Sequence, residues 1–398
     1  MRNLLIFFIS ITVLWASGRY LSPLPLPKTK FINIDTYKCD SYCLANMLQN
    51  EEYFSFLAHA NKENIENYKD QYITLTKLFH VQPITTKYFS IRLVCKKHTA
   101  PIANKIMKSL LGYFLQTKQH FSIDLFTMDN NSSFANIPED KDTITIVLAT
   151  FDEKEEVSQI DSNSPLFIPT INKKYINTSK NLYFGGIDYT EQLEKLLHNN
   201  QKKLAIFYLE RSPLSQLLTT LATEQSMQST ELYATELYAV DNSYANLKNI
   251  LKDNEELNNS AVLFNTPLIT TSLTLSQMRL YDIVPAKKLS TQINFSPKLF
   301  KLTQPKDRSN LFIAAISSSI PKDIDALNAL FEQDLFYEWL NYVTLCGIDA
   351  LLAERGEKTR VCKENFLDNQ LQLHTTIFVT QPFSFEEKQI PPENMVEF

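Results

Sequence analysis

The stretch NLYFGGIDYTEQLEKLL, residues 181–197, contains the pattern that decides the fold. Residues 181–184 form a short apolar run typical of a buried strand, and residues 189–197 have the apolar spacing of an amphipathic helix. Between them stand Gly185 and Gly186, two of only six glycines in the chain of 398 residues. A phosphate-binding loop needs GxGxxG or GxxxxGK[ST], and neither motif occurs. The glycine pair therefore predicts a hinge or crossover turn, in which positive φ angles are tolerated.

The same strand-then-helix pattern extends in both directions from this stretch. Strand-like runs occur at 88–95, 121–128, 143–150, 165–171, 203–209, 235–240, 260–265, 310–318 and 370–383. Helical patterns lie between many of them, at 103–116, 213–225, 244–252 and 272–281, and the longest covers 324–353. Strands that alternate with helices predict right-handed βαβ units around parallel sheets, so the fold class is α/β.

The α/β region is too long for one ordinary core, so we expect two Rossmann-like lobes. Breaks in the alternation place three crossovers between the lobes near residues 186, 309 and 356. Lobe one is then expected at about 87–186 and 310–355, and lobe two at about 187–309 and 356–398.

Two further segments precede the lobes. Residues 1–18 combine Arg2, an apolar core and the small residues at 16–18, which is typical of a secretory signal peptide. Their apolar run is too short for a stable membrane anchor, and no cysteine follows to accept a lipid. Residues 19–86 start with a proline-rich lead-in, and two helical patterns within 40–79 predict a helical hairpin.

Five cysteines in an exported chain favour disulfides. Cys346 and Cys362 flank the turn-like segment ERGEKTR and are expected to pair, and Cys39 with Cys43 is a second expected pair. Cys95 is then left as a buried free thiol. An alternative is a zinc site formed by Cys39, Cys43, Cys95 and His98, although neither CxxxC nor CxxH is diagnostic.

At this point the order of elements resembles the type I periplasmic binding proteins, the superfamily of leucine and amino-acid receptors. The resemblance covers about residues 87–398, from the strand SIRLVC through the crossover after NLYFGG to the late helix YVTLCGIDALLA. It implies two lobes with a ligand cleft between them. With its additional N-terminal helices the chain is also loosely similar to the outer-membrane activators of peptidoglycan synthases, but it lacks their lipid-accepting cysteine and most of their helical region.

In open α/β sheets, ligands bind at the carboxyl ends of the strands. This rule selects a set of polar and neighbouring residues as cleft candidates, namely Thr150, Phe151, Thr170, Asp188, Tyr208, Glu210, Asn265 and Thr266. The resemblance implies that Thr150 and Thr170 face a ligand carboxylate and that Asp188 faces an ammonium group. The alternative is that these are ordinary polar strand ends, and the acidic loop FDEKEEVSQID after Thr150 disfavours an anionic group nearby.

Enzyme signatures are missing from the sequence. There is no GxSxG, and none of the six histidines forms HExxH or HxH, so we expect no catalysis, no metal and no cofactor. A net charge of −5 with scattered charges also argues against nucleic acid as a partner.

Two functions remain. The first is a non-enzymatic scaffold or regulator of a cell-envelope assembly, located in the periplasm, peripheral to the outer membrane or associated with the flagellar motor, with an envelope protein as its partner. The alternative is a periplasmic solute receptor for an amino acid or a similar small molecule.

Two N-x-S triplets carry an acidic residue two positions earlier, which resembles the acceptor sequence of bacterial N-glycosylation. They predict that Asn131 and Asn258 lie on exposed loops, where a glycan is tolerated.

Overall fold

A computed structural model describes residues 39–61, 64–81, 89–117, 121–138, 140–177, 181–197, 203–228, 234–241, 246–355 and 360–388. The predicted signal peptide at 1–18 and the proline-rich lead-in lie outside the described residues. None of the helices within these ranges is long and apolar enough to span a membrane.

Within its described residues, the N-terminal unit contains three short helices, α1 (Ser41–Gln49), α2 (Tyr53–His59) and α3 (Lys69–Leu78), where two were predicted. The Asp40 carboxylate accepts a hydrogen bond from the Cys43 amide at 2.8 Å and caps α1. The helices share a small apolar core around Leu44 and Phe56, both fully buried. Phe54 joins this unit to the rest of the chain, because its ring packs edge-on against Phe331 at 5.6 Å.

Lobe one is built on a seven-stranded sheet. Its strands are β1 (Phe89–Lys96), β2 (Phe121–Met128), β3 (Thr143–Leu148), β4 (Leu166–Ile168), β5 (Leu182–Phe184), β11 (Phe366–Leu367) and β12 (Gln370–Leu371). The order is β11-β12-β5-β4-β3-β1-β2, and among these described strands only the β11–β12 pair is antiparallel. All six residues of β3 are buried, as expected for a strand covered on both faces.

In the described part of the chain, four helices pack around this sheet, namely α4 (Ala100–Gln116), α5 (Lys154–Ser158), α11 (Lys322–Leu330) and α12 (Trp339–Glu354). Helix α12 is buried from Asn341 to Leu352 and packs against α4. Its Gly347 lies under the ring of Phe167 in β4, where an added Cβ would stand 2.2 Å from the ring. This close approach explains a glycine inside a buried helix.

Lobe two is built on a second seven-stranded sheet. Its strands are β6 (Lys203–Leu209), β7 (Ala234–Val240), β8 (Ala261–Asn265), β9 (Lys287–Ser290), β10 (Leu311–Ile316), β13 (Thr375–Thr380) and β14 (Phe385–Glu387). The order is β14-β13-β10-β9-β8-β6-β7, parallel from β10 to β7 and antiparallel at β13 and β14. The helices are α6 (Tyr189–Leu197), α7 (Pro213–Gln228), α8 (Leu247–Leu251), α9 (Leu268–Leu280) and α10 (Leu299–Leu302).

Two predicted lobe boundaries are wrong. The crossover expected near residue 309 lies at 317–321, because β10 pairs with β9 and β13 in lobe two. The polar segment before β10 resembled a linker, but Arg308 is buried within lobe two and donates to the Thr303 carbonyl at 2.6 Å. The crossover expected near 356 lies at 372–374, because β12 pairs with β5 and keeps residues 366–371 in lobe one.

The long helical pattern at 324–353 is also divided. Helix α11 ends at Leu330, and α12 begins at Trp339. Glu332 has a φ of 60°, which a right-handed helix cannot contain. In addition, the Asp334 carboxylate accepts hydrogen bonds from the amides of Phe336 and Tyr337 at 2.7 Å each. These bonds offer the backbone an alternative to the helix.

Non-glycine residues supply the left-handed turns of this glycine-poor chain. Nine of them in the described segments have positive φ: Glu51, His80, Asp253, Asn259, Asp282, Asn310, Glu332, Asp368 and Asn369. Six of the nine are Asn or Asp, whose short polar side chains tolerate this conformation best.

Candidate functional site

Beside the three crossovers, the described residues form a partly open cavity of about 580 Å³. Lobe one contributes the loop after β4 and the β11–β12 hairpin, and lobe two contributes the first turns of α6 and the ends of β10 and β13. The lining residues are Asn172, Lys173, Lys174, Ile176, Asn177, Gly186, Ile187, Asp188, Glu191, Gln192, Ile316, Leu367, Asp368, Gln370, Leu371, Gln372, Leu373 and Thr375. The volume falls in the range of small-molecule sites.

Charged residues of this cavity form ion pairs. The Asp188 carboxylate pairs with the Lys174 ammonium, and the same oxygen accepts a hydrogen bond from the Glu191 amide at 3.0 Å. Asp188 therefore caps the start of α6 and also joins the two lobes. Glu191 pairs with Lys195 at 2.8 Å, and the Lys195 ammonium donates to the Thr375 carbonyl at 2.7 Å.

Two buried glutamines near these charges are linked by a hydrogen bond. Gln192 is fully buried, and its side-chain oxygen accepts from the Gln292 amide at 3.0 Å. The Gln292 side-chain oxygen in turn accepts from the Ile316 amide at 2.8 Å. The side-chain nitrogen of Gln192 is buried without a hydrogen-bond partner among the described residues, so a donor remains unused in a residue that lines the cavity.

The backbone of Gly186 is fixed by its neighbours. Its amide donates to the Ile171 carbonyl at 3.0 Å, and its carbonyl accepts from the side chains of Asn172 at 2.9 Å and Gln370 at 3.3 Å. A Cβ at Gly186 would lie 2.1 Å from the carbonyl carbon of Ile171. The predicted reason for this glycine pair is wrong, since neither Gly185 nor Gly186 has a positive φ. Close packing against lobe one requires both glycines, because a Cβ at Gly185 would lie 2.6 Å from Val343.

Of the five principal cleft candidates, the structure places Asp188 in the cavity, and it places the other four elsewhere. The Thr150 hydroxyl donates to Glu153 at 2.9 Å in a capping box and is occupied by it. Asn265 is fully buried, and its side-chain nitrogen donates to the Thr219 hydroxyl at 3.3 Å.

Thr170 and Tyr208 are half-buried at the ends of β4 and β6. The Thr170 hydroxyl oxygen is itself buried without a hydrogen-bond partner in the described part of the chain. The remaining candidates have similar local roles, since the Thr266 hydroxyl bonds to Thr271 at 2.8 Å and the Glu210 carbonyl accepts from Gln216.

The two lobes are in contact near the predicted cleft. Helix α7 of lobe two packs against the turn Phe151–Glu153 of lobe one, and Leu218 of α7 is fully buried in the apolar cluster that contains the lobe-one core. Apolar side chains therefore fill part of the space in which the sequence predicted a cleft.

A buried lysine neutralises part of the negative charge of the acidic loop after β3. Lys96 at the end of β1 is buried and pairs with Glu156 at 2.8 Å and Glu153 at 3.1 Å. Burial opposes the charge of Lys96, but the hydrogen bonds to the two glutamates outweigh it, and the pKa of Lys96 is raised. The loop is consequently less negative than the sequence indicated.

Both predicted cysteine pairs have disulfide geometry. The Cα atoms are 5.2 Å apart in Cys39–Cys43 and 5.4 Å apart in Cys346–Cys362, and Cys95 is a buried free thiol. The zinc alternative is wrong, because Cys39 and Cys43 are bonded to each other and are not available as thiolates. Burial raises the pKa of Cys95, which keeps the thiol protonated.

The two glycosylation candidates differ in their surroundings. Asn131 is exposed in the turn after β2. Asn258 is half-buried, its side-chain oxygen accepts from the Val284 amide at 2.7 Å, and Ser260 of the same triplet is buried.

Sequence reasoning missed most of the cavity. Asn172, Gln192 and Gln370 were not among the candidates, although Gln192 did give a signal. It lies on the same buried face of α6 as Tyr189, Leu193 and Leu196, and a glutamine is unusual in such a position.

Comparison with known proteins gives structural matches only. No family model and no curated protein sequence matches the chain. The leucine-binding protein LivK of Thermotoga maritima is similar with a TM-score of 0.57 at 13% identity, over 76% of this chain and 98% of that one. The branched-chain amino acid binding protein LivJ of Streptococcus pneumoniae, in complex with isoleucine, gives 0.53 at 12% identity, over 76% and 100%.

A third similar structure is a solute binding protein of an ABC transporter from Rhodopseudomonas palustris, in complex with 3,4-dihydroxy benzoic acid. Its TM-score is 0.55 at 11% identity, over 77% of this chain and 99% of that one. In each case nearly the whole neighbour is covered, and about a quarter of this chain is left over. The chain therefore has the two-lobed fold of the type I periplasmic binding proteins.

Proposed function

We propose that the chain is a non-enzymatic, exported receptor that binds a small polar solute in the cavity beside the three crossovers. The observation that carries this proposal is the cavity itself, which is lined by both lobes and contains Asp188, Glu191 and Gln192. The similar solved structures support it, since those proteins are a leucine-binding protein and receptors in complex with isoleucine and with 3,4-dihydroxy benzoic acid. The signal-like residues 1–18 support a periplasmic location.

The position of the cavity links binding to lobe movement. The Gly186 carbonyl is held by hydrogen bonds from two lobe-one side chains, Asn172 and Gln370. Two residues later, Asp188 caps a helix of lobe two. Relative rotation of the lobes would therefore change the backbone at 187–188, at the edge of the cavity. A solute that contacts both lobes stabilises the orientation in which both sets of contacts are made.

The test is a thermal-shift and calorimetric screen of amino acids, short peptides, sugars and aromatic acids. A ligand that binds only the folded state stabilises it by RT ln(1 + [L]/Kd), about 2.7 kcal/mol at a hundredfold excess over Kd. Asp188→Asn keeps an acceptor for the Glu191 amide but removes the charge, and should weaken binding. Asp140→Asn, on an exposed turn of lobe one, is the matched control. If no compound in the screen raises the melting temperature, the receptor proposal is wrong.

Two observations favour a scaffold as a second candidate. Helix α7 fills part of the space between the lobes, and the N-terminal unit leaves Tyr42, Ile73 and Leu78 exposed at 74%, 43% and 66%. A scaffold needs a partner surface and no free cleft. Cross-linking in envelope extracts followed by mass spectrometry tests it: cross-links from residues 41–78 to one envelope protein, together with an empty ligand screen, would favour the scaffold over the receptor.

A further inference from the structure

Helix α9 of lobe two presents an apolar face to solvent. Ile269, Leu273 and Leu280 share one side of the helix and are exposed at 59%, 38% and 71%. Val284, in the turn after the helix, is exposed at 70%. The opposite side of α9 is buried in lobe two. Because a surface helix normally turns charged or polar residues toward water, this face is typical of an interaction surface.

No charged residue interrupts this face. Residues 258–278 contain no Asp, Glu, Lys or Arg. Ser276 and Gln277, in the middle of the face, are half-buried, and the Ser276 hydroxyl donates to the Asp307 carboxylate at 3.2 Å. Arg279, which follows, also pairs with Asp307 at 3.2 Å. The cores of protein–protein interfaces are depleted in charge in the same way.

The order of the residues along this face is symmetric. Leu273 and Leu280 are equidistant in sequence from a point just after Ser276, and Ile269 and Val284 are equidistant from the same point. If a second α9 packs antiparallel about a two-fold axis at this point, Leu273 meets the Leu280 of the second copy. Ile269 then meets the turn that contains Val284. The small side chain of Ser276 beside the axis allows the two helices to approach closely, so the face is complementary to itself.

The size of the face fits a reversible dimer. Its four aliphatic side chains present on the order of 400 Å² of apolar surface, which is in the range of patches that mark interaction sites. Leu302, on the helix α10 that contacts α9, is also exposed and extends the apolar surface of these two helices. A standard interface takes about 800 Å² from each partner, so this contact is at the small end of specific interfaces.

We propose that α9 is a dimerisation surface, on which a second copy of the chain packs antiparallel about a two-fold axis near Ser276. A partner of a different sequence would not require the symmetric spacing of the face. An isologous contact requires it, since each pair of residues is made twice. The proposal is independent of the receptor function, because none of these residues lines the cavity between the lobes.

The experiment is sedimentation velocity of the full mature chain at concentrations from about 1 to about 100 μM, where a small interface is expected to associate. We expect a monomer that converts to a dimer within this range. Leu273→Asp should weaken association by roughly tenfold or more, because it places an unpaired charge in the contact twice. Leu330→Asp makes the same change at an exposed leucine of lobe one and should leave association unchanged.

A double variant tests the antiparallel arrangement. In Leu273→Lys/Leu280→Asp, the lysine of each copy faces the aspartate of the other. The double change should therefore recover part of the association that Leu273→Lys alone removes. The two positions are two turns apart on one helix, so the new charges are too far apart to pair within a single copy.

Each outcome decides the proposal. A monomer at every concentration would overturn it, and cross-links from α9 of a monomeric chain to another envelope protein would assign the face to that partner instead. A dimer that is unchanged in Leu273→Asp would exclude this surface, and no recovery in the double variant would exclude the antiparallel arrangement. If Leu273→Asp fails to fold by circular dichroism, Leu280→Asp replaces it at the more exposed position. An empty ligand screen would overturn the receptor function and leave the dimer standing.

Discussion

The Tyr113 hydroxyl donates a hydrogen bond of 2.6 Å to the Asp349 carboxylate, although the two residues are 236 positions apart. Asp349 is fully buried and also accepts from the Arg360 side chain at 3.0 Å and from the amides of Val361 and Cys362 at 2.9 Å each. Burial, followed by the nearby Asp349 charge, raises the pKa of Tyr113. One carboxylate thus joins α4, α12 and the segment that leads into β11.

Replacing Asp349 by Ala should lower the free energy of unfolding by about 3–5 kcal/mol, because it leaves several buried donors without an acceptor. Tyr113→Phe removes a single donor and should cost only about 1–2 kcal/mol. Guanidinium unfolding of both variants measures the difference. A smaller loss in Asp349→Ala than in Tyr113→Phe would contradict the central role of the carboxylate.

Removing the Cys346–Cys362 bond should also be costly. The two residues are 16 positions apart, which corresponds to about 3 kcal/mol of chain entropy, against about 2 kcal/mol for the separation of 4 in Cys39–Cys43. Unfolding of Cys346→Ser/Cys362→Ser and of Cys39→Ser/Cys43→Ser tests this order. Thiol titration without reductant should find one free cysteine, Cys95, reactive only after unfolding. Detection of more than one thiol would show that a bridge is missing.

Gly347→Ala should destabilise lobe one by about 1–3 kcal/mol despite the better helix propensity of alanine, because overpacking outweighs a gain of about 1 kcal/mol. The new Cβ would lie 2.2 Å from the Phe167 ring. Gly112→Ala is a milder helical comparison, since its nearest contact is the Asn328 side-chain nitrogen at 2.9 Å rather than an aromatic ring at 2.2 Å. Phe167→Leu should partly rescue Gly347→Ala in a double-mutant cycle. Equal losses at both glycines would argue against the proposed clash.

Asp334 should make stability depend on pH. Burial raises its pKa above the ordinary value, with further contributions from the Asp325 and Glu338 charges, although bonds from Tyr337 and Phe336 oppose the shift. The folded chain therefore favours protonated Asp334, and this stabilisation is lost as the pH rises through the raised pKa. Asp334→Asn retains an acceptor without the charge.

We expect Asp334→Asn to be more stable than the parent at about pH 7 and equal to it at about pH 3, where the aspartate is protonated in both states. Urea unfolding at the two pH values measures this. A variant that is less stable at neutral pH would reverse the assigned sign.

Asn131 is the better of the two glycosylation candidates. It is exposed, whereas the side chain of Asn258 accepts a hydrogen bond from the Val284 amide and its triplet serine is buried. Intact mass of the protein from its own cells should show one glycan that disappears in Asn131→Gln and persists in Asn258→Gln. An unmodified mass would refute the prediction.

Much of the fold follows from local pattern. The strand expected at 88–95 is β1 at Phe89–Lys96, and the opening strand and helix at 181–197 are β5 and α6. In such segments the apolar period and the final burial agree. Strands β11 and β12 have two residues each, which is too few to show an apolar period. Because they belong to lobe one, the third crossover lies later in the chain than the sequence predicted.

The cavity was harder to predict, because its walls come from segments far apart in the sequence. Asp188 was found through its place at a strand-to-helix turn, but Asn172 and Gln370 meet at Gly186 only when β12 returns beside β5. Long-range pairing of this kind has no local signature.

The return of β11 and β12 to lobe one, together with α11 and α12, has a consequence for the order of folding during synthesis. Strands β6 to β10 come from one continuous segment and need only edge strands from the C-terminus. Lobe one is made first, but α12, whose residues 341–352 are all buried in its core, emerges long after β5. The N-terminal lobe therefore stays incomplete until roughly the last fifth of the chain is present, so lobe two is expected to complete its core first.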